Sequence, residues 1–185
     1  MNQSITDRPA TSHQVLPPIF IGLLPSSPVG PIWVAVSELG LVAVNWNMSQ
    51  VDFSHRMERR LHTNVVYDEF QTGEALRQIS EYLAGIRYKF DLQLDLSDRS
   101  NFQLQVLHLT LNIPYGQTST YKEIAIHLGK EHAARAVGRV EATNPIPLVI
   151  PCHRVLGSDG SLHGYGGPGG IKLKAWLLKL EQNGV

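Results

Sequence analysis

Residues 100–145 are divided into short helices by their own start and stop signals. Ser100-Asn101-Phe102-Gln103 is a capping box that opens a helix running to about Leu111, and Pro114-Tyr115-Gly116 ends that segment. Thr120-Tyr121-Lys122-Glu123 is a second capping box, whose helix runs through Ile124 and Leu128 and stops at Gly129. A third helix is expected from His132 to about Glu141. It ends before Asn144-Pro145, because a residue preceding proline is pushed out of the helical region. The last two helices, joined by a glycine-containing turn, form a helix-turn-helix. Helical hairpins are common, and DNA binding is only one of their uses.

The chain before this region reads differently. Ile32-Trp33-Val34-Ala35-Val36 and Leu41-Val42-Ala43-Val44-Asn45-Trp46, separated by Ser37-Glu38-Leu39-Gly40, predict a β-hairpin. Residues 68–88 predict a helix, with Phe70, Ala75, Ile79, Leu83 and Ile86 at helical spacing. Phe90, Leu92, Leu94 and Leu96 alternate with polar residues, which suggests an amphipathic strand. Residues 9–37 carry no Asp, Glu, Lys or Arg, but Pro17, Pro18, Pro25, Pro28 and Pro31 break any spanning helix. That stretch reads as an irregular arm over residues 1–28 leading into a strand, in a cytoplasmic protein. The expected fold class is α/β (α+β). Residues 1–98 form a small α/β scaffold domain with an antiparallel hairpin or sheet. Residues 99–185 form a mostly helical domain.

The 185 residues carry 16 basic and 16 acidic side chains, so no global basic signature points to nucleic acid. The distribution is uneven. Residues 1–115 hold eight basic and eleven acidic residues, 8 − 11 = −3, and residues 116–185 hold eight and five, 8 − 5 = +3. An anionic partner therefore suits the C-terminal part better, although +3 is a weak signal.

That basic part contains the only cysteine, Cys152, in Pro151-Cys152-His153-Arg154-Val155. One cysteine excludes an intrachain disulfide and any CxxC zinc site. A buried small hydrophobe, an incidental thiol and a nucleophile remain open. His153 and Arg154 favour the nucleophile, because nearby cations lower a thiol pKa. At the reference value of about 8.5, roughly 3% of a thiol is ionised at pH 7. Full ionisation then gains only about thirty-fold, so substrate positioning must supply the rest. The apolar run Ile146-Pro147-Leu148-Val149-Ile150 reads as a strand that delivers Cys152 at its exit, with Pro151 interrupting the ladder.

The helix after Gly129 has small residues at Ala133, Ala134, Ala136 and Gly138, with Arg135 projecting among them. Either it packs tightly on another helix with Arg135 solvated, or its smooth face presses into a nucleic-acid groove with Arg135 as a probe. Leu173, Trp176, Leu177 and Leu180 mark an amphipathic C-terminal helix, followed by Glu181. From the residues alone, Glu181 reads as a solvated helix-end acid.

Taken together, these pieces resemble the O6-alkylguanine-DNA alkyltransferases. The matching elements are Ile113-Pro114-Tyr115-Gly116, Thr120-Tyr121, Ala133-Ala134-Arg135-Ala136-Val137-Gly138, Asn144-Pro145, Ile150-Pro151-Cys152-His153-Arg154-Val155, Gly164-Tyr165, and Lys174 through Glu181, in the family's order. The resemblance implies direct reversal of DNA damage. Cys152 takes the alkyl group from O6 of a flipped guanine, or from O4-alkylthymine, once per molecule. It implies that His153 acts through a water as base and that Glu181 orients the imidazole. Tyr121 donates toward the leaving guanine and crowds the phosphate. Arg135 fills the space left by the flipped base, on a recognition helix that lays Ala134, Ala136 and Gly138 in the minor groove without sequence preference. Val155, Tyr165 and Gly166 line the substrate pocket, and Asn144, Pro151 and Arg154 support the site. No metal and no cofactor are expected, and the partner is double-stranded DNA bound by a monomer.

Three departures from the pattern stand out. Gly166 replaces a serine found in some members, Pro168-Gly169 lengthen the loop before the last helix, and the N-terminal part lacks cysteines for zinc. Competing readings are an alkyltransferase-like protein that binds lesions without transfer, a Cys-His hydrolase, and a plain DNA-binding module.

Overall fold

The computed structural model describes residues 16–167 and 169–182. Its N-terminal half is a four-stranded mixed sheet in the order β3-β2-β1-β4, built from β1 (Ile19–Leu24), β2 (Ile32–Ser37), β3 (Gly40–Trp46) and β4 (Val65–Tyr67). β1, β2 and β3 are antiparallel neighbours, and β4 joins β1 in parallel. Side chains alternate across a strand, so β2 feeds two cores. Trp33 and Ala35 face α1 (Gln50–Leu61) through Phe53 and Met57, whereas Ile32 and Val34 face α2 (Glu69–Leu83) and the C-terminal half. Covering both faces explains why β2 and β3 read as continuous apolar runs.

The expected hairpin is β2–β3. The expected irregular arm is not what its described part forms. Residues 1–15 lie outside the described residues, but Ile19–Leu24 is an interior strand of the sheet. Pro18 and Pro25 bracket this strand instead of breaking it. Gly22 lets α2 approach, because a Cβ there would lie 2.0 Å from Thr72 Oγ1. Nothing in the pattern of residues 47–67 announces α1 or β4, since α1 buries only Phe53 and Met57.

α2 stops at Leu83, earlier than the spacing suggests. Gly85 at φ 72° turns the chain away and leaves Ile86 exposed. The alternating segment Phe90–Leu96 is not a strand. It crosses the end of β3, where Leu41 N–H donates to Gln93 O (2.8 Å) and Asp95 N–H donates to Leu41 O (2.9 Å). Its leucines pack on the main core without a ladder.

The C-terminal half follows the capping signals closely. Both capping boxes form, at Ser100/Gln103 on α3 (Asn101–Leu111) and at Thr120/Glu123 on α4 (Tyr121–His127). α5 (Ala134–Ala142) opens two residues later than expected and has no side-chain cap. A two-stranded parallel pair, β5 (Ser119–Thr120) with β6 (Val155–Leu156), ties the entrance of α4 to the cysteine segment. α6 (Ile171–Gln182) closes the fold. A single apolar cluster joins the halves, with Val34 and Ile79 in the same core as Val106, Val137, Ile146 and Leu177.

Candidate active site

Residues 146–150 form no strand. Pro145, Pro147 and Pro151 remove the N–H groups a ladder would need, and the segment curls into a buried loop with Leu148 at φ 74°. Asn144 staples that loop. Its Nδ2 donates to Ile150 O (2.8 Å), and its Oδ1 accepts from Ile146 N–H (3.0 Å). Pro151 then caps a 3-10 turn, Cys152–Arg154, that places three consecutive functional side chains inside the protein.

Glu181 is not solvated. Its side chain is 1% exposed and collects donors from four residues on three segments. Tyr82 O–H donates at 2.6 Å, His153 Nε2 lies at 2.9 Å, and Gly116 N–H donates at 3.1 Å. Arg154 grips both oxygens, with Nε at 2.9 Å from one and Nη2 at 2.8 Å from the other. Arg154 Nη1 also donates to Ile113 O (2.5 Å), so this guanidinium turns away from the thiol.

Proton positions follow from these contacts. A carboxylate can only accept, so His153 Nε2 carries the hydrogen and Nδ1 keeps its lone pair. That Nδ1 is buried and has no partner. Burial holds the imidazole below its ordinary 6.5 despite the Glu181 hydrogen bond, so it is neutral at pH 7. Burial alone would raise the Glu181 carboxyl, but the hydrogen bonds from His153 and Arg154 outweigh it and hold it at about 2.

This gives an acid-stability prediction. Stability from Glu181 is complete above the ordinary value of 4.5 and is lost as the pH falls toward 2. At about 1.4 kcal/mol per pH unit the loss is about 3 kcal/mol. The neutral His153 adds to it in the same direction below 6.5. Urea midpoints between pH 5 and 2.5 should fall steeply in the wild type and more gently in Glu181→Gln.

The thiol departs from the sequence expectation. Burial pushes Cys152 up to about 12, with the Glu141 carboxylate raising it further and a hydrogen bond from Asn144 only partly offsetting both. With Arg154 committed to Glu181, the Lys174 charge is the cation that pulls the thiol down, and burial outweighs it. The thiol is stored protonated, and any attack needs a base at the moment of reaction.

Cys152 lies on a cavity of about 330 Å³ shared with Asn144, Glu141, Tyr165 and Gly166. The Tyr165 phenol oxygen is buried without a hydrogen-bond partner. A Cβ at Gly166 would sit 2.9 Å from Ala142 O, so a serine there would require the loop to move. Val155 is buried. Its carbonyl accepts from Lys174 Nζ (2.6 Å), and Lys174, not the exposed Lys172, is therefore the lysine at the site. Pro168 lies outside the described residues. Tyr121 is half-buried at the start of α4, and burial followed by the charges of Glu141 and Cys152 raises it to about 12, so it stays a donor. Its ring packs 3.8 Å from the Cβ position of Gly138 on α5. On that helix Arg135 and Ala136 are exposed, while Ala134 and Gly138 are half-buried. The groups therefore run inward from Arg135 through Gly138 and Tyr121 to Cys152.

Sequence reasoning missed Tyr82, whose only signal was its place one turn from Ile79 on α2. It also missed Glu141, an acid on the apolar side of α5 beside Val137 and Val140. Among the described residues, no three His, Cys, Asp or Glu side chains gather to hold a metal ion, and no helix is long and apolar enough to cross a membrane.

Comparison with known proteins agrees with this geometry. The family profile described as "6-O-methylguanine DNA methyltransferase, DNA binding domain" matches residues 101–183, and its "ribonuclease-like domain" matches residues 20–96. The methylated-DNA–protein-cysteine methyltransferase of Methanosarcina barkeri is 42% identical over 160 residues, covering 86% of this chain and 95% of its own. The Mycobacterium tuberculosis protein of the same name is 40% identical, covering 85% of this chain and 89% of its own. The crystal structure of Mycobacterium tuberculosis OGT in complex with DNA superposes with a TM-score of 0.75 at 36% identity, covering 91% of this chain and 94% of that one. With both halves matched and a buried thiol–imidazole–carboxylate set in the C-terminal one, the chain belongs to the 6-O-methylguanine DNA methyltransferase family.

Proposed function

We propose that the protein repairs O6-alkylated guanine in double-stranded DNA by moving the alkyl group to Cys152 Sγ, once per molecule. The carrying observation is His153: a neutral buried imidazole, its Nε2–H committed to Glu181 and its Nδ1 lone pair free, next in sequence to the only thiol. The relatives named for this reaction, and the OGT structure solved with DNA, support the same reading.

The step balances without a cofactor. The Sγ–H proton passes through a water to His153 Nδ1, while Glu181 stabilises the imidazolium that forms. Sulfur attacks the alkyl carbon, the S–C bond forms and the C–O6 bond breaks. Tyr121 supplies a hydrogen bond or proton to the departing guanine, which ends with the proton the thiol lost. The product thioether has no leaving group comparable to the guanine oxygen, so the protein does not turn over.

Reaching Cys152 requires the nucleotide to leave the stack, because the sulfur is buried. Flipping costs a few kcal/mol and is easier for a badly paired base. Exposed Arg135, one turn from Gly138 and its Tyr121 contact, would occupy the vacated space. The small residues around it allow close approach along the minor groove, through backbone contacts that carry no sequence preference. Val155 with Tyr165 and Gly166 would hold the flipped base, and Asn144, Pro151 and Arg154 would keep the turn rigid. The protein acts as a monomer in the cytoplasm, where a reducing environment keeps a lone thiol free.

Incubation with a duplex carrying O6-methylguanine, followed by intact-mass measurement, tests this. A stoichiometric gain of one methylene on Cys152 without turnover is expected. Cys152→Ala should gain nothing yet still bind the duplex. Tight lesion binding by a wild type that stays unmodified would replace this reading with lesion binding alone.

A further inference from the structure

Glu141 is 5% exposed, and the reaction above gives it no part. It occupies the last turn of α5 beside Val140 and lines the cavity that holds Cys152. Its Oε1 lies 2.5 Å from Thr110 Oγ1, which in turn lies 3.0 Å from Val106 O. A hydroxyl has one hydrogen. If Thr110 gives it to Val106, the short contact needs a proton on Glu141. If Glu141 is ionised, Thr110 turns its hydrogen to the carboxylate. Both arrangements are satisfied at Oε1, so the site accommodates either protonation state. Oε2 is buried with no hydrogen-bond partner in both.

Among the described residues, no cation neutralises it directly. Lys174 on α6 gives Nζ to Val155 O and lies over the Tyr121 ring. Tyr121 on α4 and Cys152 on the active-site turn, both uncharged at rest, complete the near surroundings with Thr110 on α3. Across the cavity stand Arg56, Arg60 and Arg99, and the last two share Asp98. Burial lifts the Glu141 carboxyl to about 7, with the Thr110 hydrogen bond and the Lys174 charge opposing.

We propose that Glu141 sets the pH dependence of alkyl transfer: as a neutral acid it leaves Cys152 free to shed its proton, and as a carboxylate it opposes the negative charge developing on the sulfur across the shared cavity. The inference rests on Cys152 as the acceptor. Glu141 touches no reacting atom and acts only through the thiol, as a positioning residue.

The test is a single-turnover rate profile from pH 5.5 to 9 on an O6-methylguanine duplex, for wild type, Glu141→Gln and Thr110→Val. The pH dependence of DNA binding is shared and cancels in the ratio of variant to wild type. For Glu141→Gln that ratio should rise about three- to tenfold between pH 6 and 8.5, the size expected from one like charge removed beside an ionising group. Thr110→Val, which deletes the hydroxyl favouring the carboxylate, should move the wild-type break to higher pH. Ratios that stay flat with folded proteins would overturn the proposal. If Glu141→Gln does not fold, carboxyl carbon NMR of the wild type decides: titration of Glu141 near 4.5 defeats the proposal, and titration near 7 supports it. Absence of transfer by wild type at every pH would instead defeat the functional reading on which it stands.

Discussion

Glu181→Gln should destabilise the protein by about 3–5 kcal/mol and slow repair at least a hundredfold. Glutamine keeps one acceptor oxygen but aims an amide N–H₂ at Arg154 or at Gly116 N–H, which are themselves donors. Arg154, 6% exposed, then keeps Ile113 O and the one amide oxygen, with no carboxylate left to balance its charge. An uncompensated buried charge costs far more than an exposed pair ever returns. Against a total stability of about 5–15 kcal/mol the loss is large. Repair suffers separately, because His153 loses the carboxylate that fixes its tautomer and stabilises its charged form. Thermal melts and single-turnover rates measure the two effects. Adding Arg154→Met should restore much of the stability and none of the rate. If Glu181→Gln melts like wild type, the buried pair contributes nothing to stability.

Arg135→Ala should lower repair in duplex DNA by about a hundredfold while leaving reaction with free O6-benzylguanine nearly unchanged. Arg135 is exposed on α5 and outside the hydrogen-bonded network of the thiol. Its loss removes nothing from the chemistry. On the role proposed for it, what disappears is the filling of the gap after flipping, a few kcal/mol in total, and one phosphate-seeking charge, which also lessens the salt dependence of binding. Equal losses on both substrates would remove Arg135 from base flipping and make it a residue of the fold.

The features legible in the sequence were those specified locally. The capping boxes at Ser100 and Thr120 were readable because a cap is settled within four residues, and the β2–β3 hairpin because its two runs are adjacent. Ile19–Leu24 was obscured because prolines that bound a strand look the same as prolines that prevent one. The curl of residues 146–150 depends on the Asn144 side chain, which composition does not reveal. At the site, His153 and Arg154 were visible as neighbours of Cys152, but their effect on the thiol was misjudged. Adjacency in sequence does not say which way a guanidinium points, and Arg154 points at Glu181. Tyr82 and Glu141 were missed for a different reason. Each sits on a helix face otherwise used for packing, and their partners lie 71 and 31 residues away.

Tyr82 also bears on whether the chain can be divided. Every group proposed to move a proton or a carbon lies beyond residue 99, so a C-terminal fragment looks chemically complete. Yet the phenol sealing the His153–Glu181 pair is contributed by the other half, from a helix with no other business at the site. In such a fragment one side of that pair would be wetted, and a relay tuned for a dry interior would work in solvent. The N-terminal half is in this sense the wall of the reaction vessel.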